Sequence, residues 1–136
     1  MMDINDIMPP DWQRFNYSLA NFDKQLLGIY AKVTELFPGL WVNVKNGVRV
    51  NNWCGLRSPV CTIGAPKSAH RSGKALDLHC ANLAALREWC TSADGLAAGI
   101  LRVEAAIKTP TWVHVDVVLP NEERWSDRTK PYVFMP

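Results

Sequence analysis

Between positions 18 and 37 the apolar residues Leu19, Phe22, Leu26, Ile29, Val33 and Leu36 recur at alternating intervals of three and four. That spacing lays one apolar stripe along a helix, and such a stripe needs a partner surface, most simply a sheet. Ser18 stands where an N-cap belongs, and Pro38-Gly39 follows where a helix must stop. Residues 1–17 carry Pro9-Pro10 and little periodicity, and read as an N-terminal arm.

After the helix the period falls to two. Trp41-Val42-Asn43-Val44-Lys45 and Val48-Arg49-Val50-Asn51 flank Asn46-Gly47. Asn-Gly between alternating apolar residues predicts a hairpin, because both turn positions require positive φ. Residues 53–69 hold Gly55, Pro59, Gly64 and Pro66 with few periodic apolar positions, and read as a long loop. Long ordered loops in compact domains are often functional. Positions 75–79 alternate as a strand, with Asp77 on the face opposite Leu76 and Leu78. Asn82 caps a second helix from 83 to about 93, with Leu83, Leu86 and Cys90 on one face and Asp94-Gly95 as its stop. The last regular pair, 100–107 and 111–119, is joined by Lys108-Thr109-Pro110. From Pro120 onward, charge and Pro131 suggest a surface tail over 120–136, in which Trp125, Tyr132 and Phe134 can pack back. The expectation is one α+β domain over 1–136, a central antiparallel sheet with helices packed on it.

Composition narrows the function classes. With 136 residues, 48% hydrophobic and 21% charged, the chain suits a single folded domain with a sizeable core. The formal charge of +2 is small and evenly spread, and no basic run interleaves with aromatics. Nucleic acid is therefore a poor fit. No stretch reaches the ~18 consecutive apolar residues of a membrane helix, and Met1-Met2-Asp3-Ile4-Asn5-Asp6 is acidic, unlike a signal peptide. Cys54, Cys61, Cys80 and Cys90 form no CxxC pair, so free thiols are expected over disulfides. The chain is expected to be monomeric.

The candidate chemistry lies in two stretches. Ser68-Ala69-His70-Arg71-Ser72-Gly73-Lys74-Ala75-Leu76-Asp77 offers an imidazole and a carboxylate seven positions apart, and Trp112-Val113-His114-Val115-Asp116 offers a second imidazole in an alternating strand. Two histidines and one aspartate leave a fourth zinc position open, the ligand count of a catalytic site. Alone, His70 is as readily a loop residue and His114 a core histidine; together they make a candidate ligand set. His79, on the strand face of Asp77, is a spare imidazole that could replace or support a ligand.

The joint pattern Ser-x-His-x-x-Gly-x-Ala-x-Asp followed by Trp-x-His-x-Asp resembles the D-Ala-D-Ala metallopeptidases. These are peptidoglycan peptidases related to lysostaphin-type enzymes and the hedgehog signalling domain, and they include phage endolysins. The matching residues are Ser68, His70, Gly73, Ala75, Asp77, Trp112, His114 and Asp116, and the likeness spans roughly residues 50–118. It implies a zinc ion on the sheet face bound by His70, Asp77 and His114, and peptidoglycan peptide stems as substrate. Small members without a signal peptide are often phage lysins. Action at the cell wall or periplasm after release, or within a phage particle, is the corresponding expectation.

One departure shifts the search for a general base. Several relatives carry a glutamate three residues before the last histidine, where this chain has Thr111; others carry a histidine two before it, where Trp112 stands. If Ile107 faces Thr111 in a hairpin, Glu104 faces His114, and cross-strand partners share a face with Cβ atoms about 4.5–5.5 Å apart. Glu104 is then the expected base; its plain alternative is a solvated carboxylate or a partner for Arg102. Asp116, two residues after His114, either orients that imidazole or pairs with Arg102. Arg57, in a segment similar to the relatives' Ser-Gly-Tyr-Arg, is expected to bind substrate or polarise its carbonyl, unless it is only a surface charge. Ser68 and Trp112 contact substrate or support the ligands, with Ser68 leaning towards shaping the bend. A zinc-bearing module that binds cell wall or protein without hydrolysis is the alternative function, and a structural component of a virion a third.

Overall fold

The computed structural model describes residues 3–65 and 67–136. Met1, Met2 and the loop proline Pro66 lie outside them. The described residues build four helices, α1 (Ile4–Ile7), α2 (Lys24–Leu36), α3 (Leu83–Cys90) and α4 (Ala93–Ala97), and six strands. Strands β1 (Val44–Lys45) and β2 (Val48–Arg49) form the hairpin around Asn46-Gly47, whose φ values are +51° and +77°. Strands β3 (Ala75–Leu78), β5 (Val113–Asp116), β4 (Arg102–Glu104) and β6 (Tyr132–Phe134) form a four-stranded sheet in that order. The β3–β5 and β5–β4 pairs are antiparallel and β4–β6 is parallel. The class is α+β, as expected, with a mixed rather than purely antiparallel sheet.

One apolar cluster holds these parts together. Leu26, Ile29 and Val33 of α2 are fully buried with Leu76 and Leu78 of β3, Val103 of β4 and Val113 and Val115 of β5. Burying an aliphatic side chain of this size contributes roughly 1.5–3 kcal/mol. The alternation within β3, β4 and β5 sends these residues to the core and turns Asp77, Arg102, Glu104, His114 and Asp116 to the opposite face.

Several expectations need correction. The helix over 18–37 is broken: Ser18 caps a 3-10 turn, Leu19–Asn21, and Asp23 caps α2 through Gln25 N. The stripe spans both pieces, but Leu19 and Leu36 at its ends are exposed. The described part of the arm, residues 3–17, packs onto the domain, with Ile7 and Met8 fully buried in the core. The second helix stops at Cys90, and Asp94-Gly95 lies inside α4, which Ser92 caps. A carboxylate is favoured in a first turn, so Asp94 marks a start and not a stop. Strands β4 and β5 are shorter than 100–107 and 111–119, and Ile107 is 78% exposed in the turn between them. The 120–136 tail supplies β6.

Candidate metal centre

The site follows from two rows across the sheet. Asp77 on β3 pairs with His114 on β5, and Glu104 on β4 pairs with Phe134 on β6. The β4–β5 register, Arg102 with Asp116 and Val103 with Val115, is the anticipated one, and one further step sets Glu104 across from His114. The neighbouring row carries Ala75, Asp116, Arg102 and Tyr132. Arg87 of α3 fixes the entry to β5 by donating to the carbonyls of Thr109 (2.7 Å) and Trp112 (2.9 Å).

His70 arrives from outside the sheet, on a 3-10 turn, Ala69–Ser72, just before β3. Ser68 Oγ accepts from His70 N at 3.3 Å, so Ser68 shapes this turn. Gly73 closes it at φ +69°. The preceding loop is tied by two arginines. Arg71 donates to the carbonyls of Cys61 (2.7 Å) and Ser58 (3.3 Å), while Arg57 donates to those of Trp53 (2.9 Å) and Ile63 (3.4 Å).

His70, Asp77 and His114 are all buried, and one donor atom from each lies within 4.8 Å of the others. His70 Nε2 is 3.2 Å and His114 Nδ1 2.9 Å from Asp77 Oδ1. The outer nitrogens are fastened: His70 Nδ1 lies 3.0 Å from the Gly55 carbonyl, and His114 Nε2 lies 3.0 Å from Asp116 Oδ2. Those oxygens only accept, so the outer nitrogens carry protons and the inner ones are free to ligate. The group can hold a metal ion.

The charges agree with this. Burial works to raise the Asp77 carboxyl, but the imidazoles, His70 foremost, hold it well below the usual carboxylate range. Burial works to lower the His114 imidazole, but its hydrogen bonds to Asp116 and Asp77 push it up to about 9. These carboxylates therefore favour a cation at the inner nitrogen, whether a proton or a metal. Asp116, fully buried, is held low against its own burial by His114 and Arg102. It fills both roles considered for it, pairing bidentately with Arg102 at 2.9 and 2.8 Å and accepting from His114.

The triad opens into a cavity of about 420 Å³, whose walls include Arg57, Glu104, Trp112 and Phe134. Arg57 is no surface charge, for its side chain is only 10% exposed and its Nη2 lies 3.9 Å from Asp77 Oδ2. His79 stands apart from the ligands: it stacks on Trp41, and its Nε2 is 3.5 Å from Cys54 Sγ. Burial pushes the Cys54 thiol up to about 12 and the His79 imidazole down. All four cysteines are free.

Two contributors escaped the sequence reading. Phe134 was readable as one of an alternating Tyr132-Val133-Phe134 run after Pro131, though not as a wall of this cavity. Gly55 carries no chemical signal, yet its carbonyl holds His70, and a Cβ there would stand 2.1 Å from the Ile7 carbonyl oxygen. Gly55→Ala must displace that backbone, so it is expected to cost about 1–3 kcal/mol and to weaken metal binding. Urea denaturation beside a metal titration checks both, and unchanged metal affinity would separate the Gly55 carbonyl from the centre.

Among the described residues, no helix is long and apolar enough to cross a membrane. No family model, curated protein or solved structure matches the chain.

Proposed function

We propose that this chain is a zinc-dependent peptidase that hydrolyses a peptide bond in the stem or cross-bridge of peptidoglycan. One observation carries the reading: two imidazoles and a carboxylate converge at the floor of an open cavity, each ring with its outer nitrogen fastened. Zinc suits this donor set, since three protein ligands of these types leave a position for reaction. The bound ion would supply Lewis acidity, polarising a carbonyl oxygen and lowering the pKa of water to about 7. The substrate class rests on the resemblance carried by Ser68, His70, Gly73, Ala75 and Asp77 with Trp112, His114 and Asp116.

The protein's own groups divide the remaining work. Glu104 takes a proton from the attacking water on a carboxylate oxygen and returns it to the leaving amine. Arg57, fixed by two loop carbonyls, offers a permanent forked charge to the oxygen on which negative charge develops. Trp112 and Phe134 line the cavity beside the scissile bond and limit the approach of bulk water.

The test is mass spectrometry of fragments released from purified peptidoglycan by the zinc-loaded protein, with a chelated control. Release that chelator abolishes is expected, and the new termini name the bond. Wall binding without release, in a sample shown to hold zinc, would replace the peptidase with a zinc-bearing binding module. Thr111, standing where several relatives carry a glutamate, is the feature that favours that second reading.

A further inference from the structure

Asp116 collects four donors on its two oxygens. Oδ1 accepts from Arg102 Nε at 2.9 Å and Val118 N at 3.1 Å, and Oδ2 lies 2.8 Å from Arg102 Nη2 and 3.0 Å from His114 Nε2. The carboxylate is fully buried, while the Arg102 side chain is 24% exposed. Phe134 covers that guanidinium, with its ring centroid 4.1 Å from Arg102 Cζ, and sets the same ring edge-on to His114 at 5.7 Å. Strand β6 is held to β4 at both ends of the pair, where Tyr132 N donates to the Leu101 carbonyl and Ala105 N to the Phe134 carbonyl.

This arrangement leaves His114 with little freedom. Its ring plane is fixed by Asp116 from one end and by the Phe134 edge from the side. Asp116 itself cannot turn, because the planar fork of Arg102 engages both of its oxygens. A guanidinium exposed to water would hold its carboxylate loosely, since exposed pairs are weak. Stacking on Phe134 desolvates one face of Arg102 and so strengthens its grip on Asp116.

We infer that Phe134 and Arg102 are positioning residues of the metal centre, acting through Asp116 to fix the ring of His114 and hence the affinity and geometry of the bound ion. The C-terminal strand β6 is on this view a working part of the site and not a covering for the sheet edge. The inference rests on the metal-binding reading of the triad but not on the peptidase activity.

The test uses the full chain: zinc affinity by competition with a chromophoric chelator, and the visible spectrum of the cobalt-loaded protein. Phe134→Leu keeps the apolar bulk and removes the ring, and Arg102→Lys keeps the charge and removes the fork. Both are expected to weaken zinc binding by about tenfold or more, within the range for groups behind metal ligands, and to shift the cobalt bands. Phe134→Tyr is expected to stay within about twofold of the parent. Parent-like affinity and bands in both altered proteins would overturn the inference, and so would a lower urea midpoint with unchanged bands, the mark of a merely structural role. Should Phe134→Leu fail to fold, Arg102→Lys decides alone. A parent protein that binds no zinc is a separate outcome, which removes the metal reading and this inference with it.

Discussion

Glu104→Gln is expected to bind zinc as tightly as the parent and to release peptidoglycan fragments about 10²–10⁴-fold more slowly, the range for loss of a general base. The substitution is nearly isosteric, so the row of Asp77, His114, Glu104 and Phe134 across the sheet is preserved. What changes is that an amide cannot accept and hand on a proton. The measurements are zinc content and the initial rate of fragment release on the same sample. A variant within about threefold of the parent rate would take the base role away from Glu104. A variant that had lost its zinc would show instead that Glu104 supports the ligands.

The second large effect concerns stability and lies far from the site. Asp6 is 4% exposed, and its Oδ1 accepts from the backbone N–H groups of Val42 (3.0 Å), Asn43 (2.9 Å) and Val44 (2.7 Å). Its Oδ2 accepts from the Tyr30 hydroxyl at 2.6 Å. One carboxylate thus satisfies the approach to β1 and ties it to α2. Burial and the bond to Asp6 together push the Tyr30 hydroxyl far above its ordinary range, so it stays a donor at any working pH. Asp6→Ala strands three donors, Val42 N, Val44 N and the Tyr30 hydroxyl, since Asn43 N also reaches the Asp6 backbone carbonyl at 3.0 Å. Each costs about 1–3 kcal/mol when left unpaired. Admission of water recovers part of this, and a net loss of about 3–5 kcal/mol is expected, a large share of a domain stability of about 5–15 kcal/mol. Tyr30→Phe removes one bond and is expected to cost about 1 kcal/mol. Urea denaturation measures both, and an Asp6→Ala loss below about 1 kcal/mol would mean that water already serves these groups.

The same contact explains why the N-terminal segment was hard to read. Its role is set by partners 24 to 38 positions away, and Asp6-Ile7-Met8 has no local period that betrays them. The strand pairing around His114 was legible for the opposite reason. Period-two alternation fixes which residues share a face, and a one-residue slip would have buried Glu104 and exposed Val103. The helix over 18–37 misled because its stripe of threes and fours runs unbroken through the non-helical link at Phe22-Asp23, and only the second cap, Asp23, marks the true start. Strand β6 was obscured because parallel pairing with β4 joins segments about thirty residues apart, with no turn between them to announce it. The pair of Arg102 with Asp116 was one of the readings the alternation left open, and the stacking of Phe134 on it depends on that unannounced strand.

The two halves of the candidate metal centre differ in how they are fastened. Asp77 and His114 stand on strands whose backbones are paired along the ladder, with apolar neighbours sealed beneath them. His70 stands on a short turn outside the sheet, and the exposed part of its approach is tied by Arg57 and Arg71 side chains reaching the carbonyls of Ser58, Cys61, Ile63 and Ala65. Local opening costs least where backbone pairing and apolar burial are sparse. The mostly exposed stretch 59–65 is therefore expected to open first, while Cys54–Leu56 stay tied by Leu56 N to the Ile7 carbonyl and by the Cys54 carbonyl to Asp77 N. An ion held by His70, Asp77 and His114 is accordingly expected to exchange with solvent through local opening beside His70 sooner than through global unfolding.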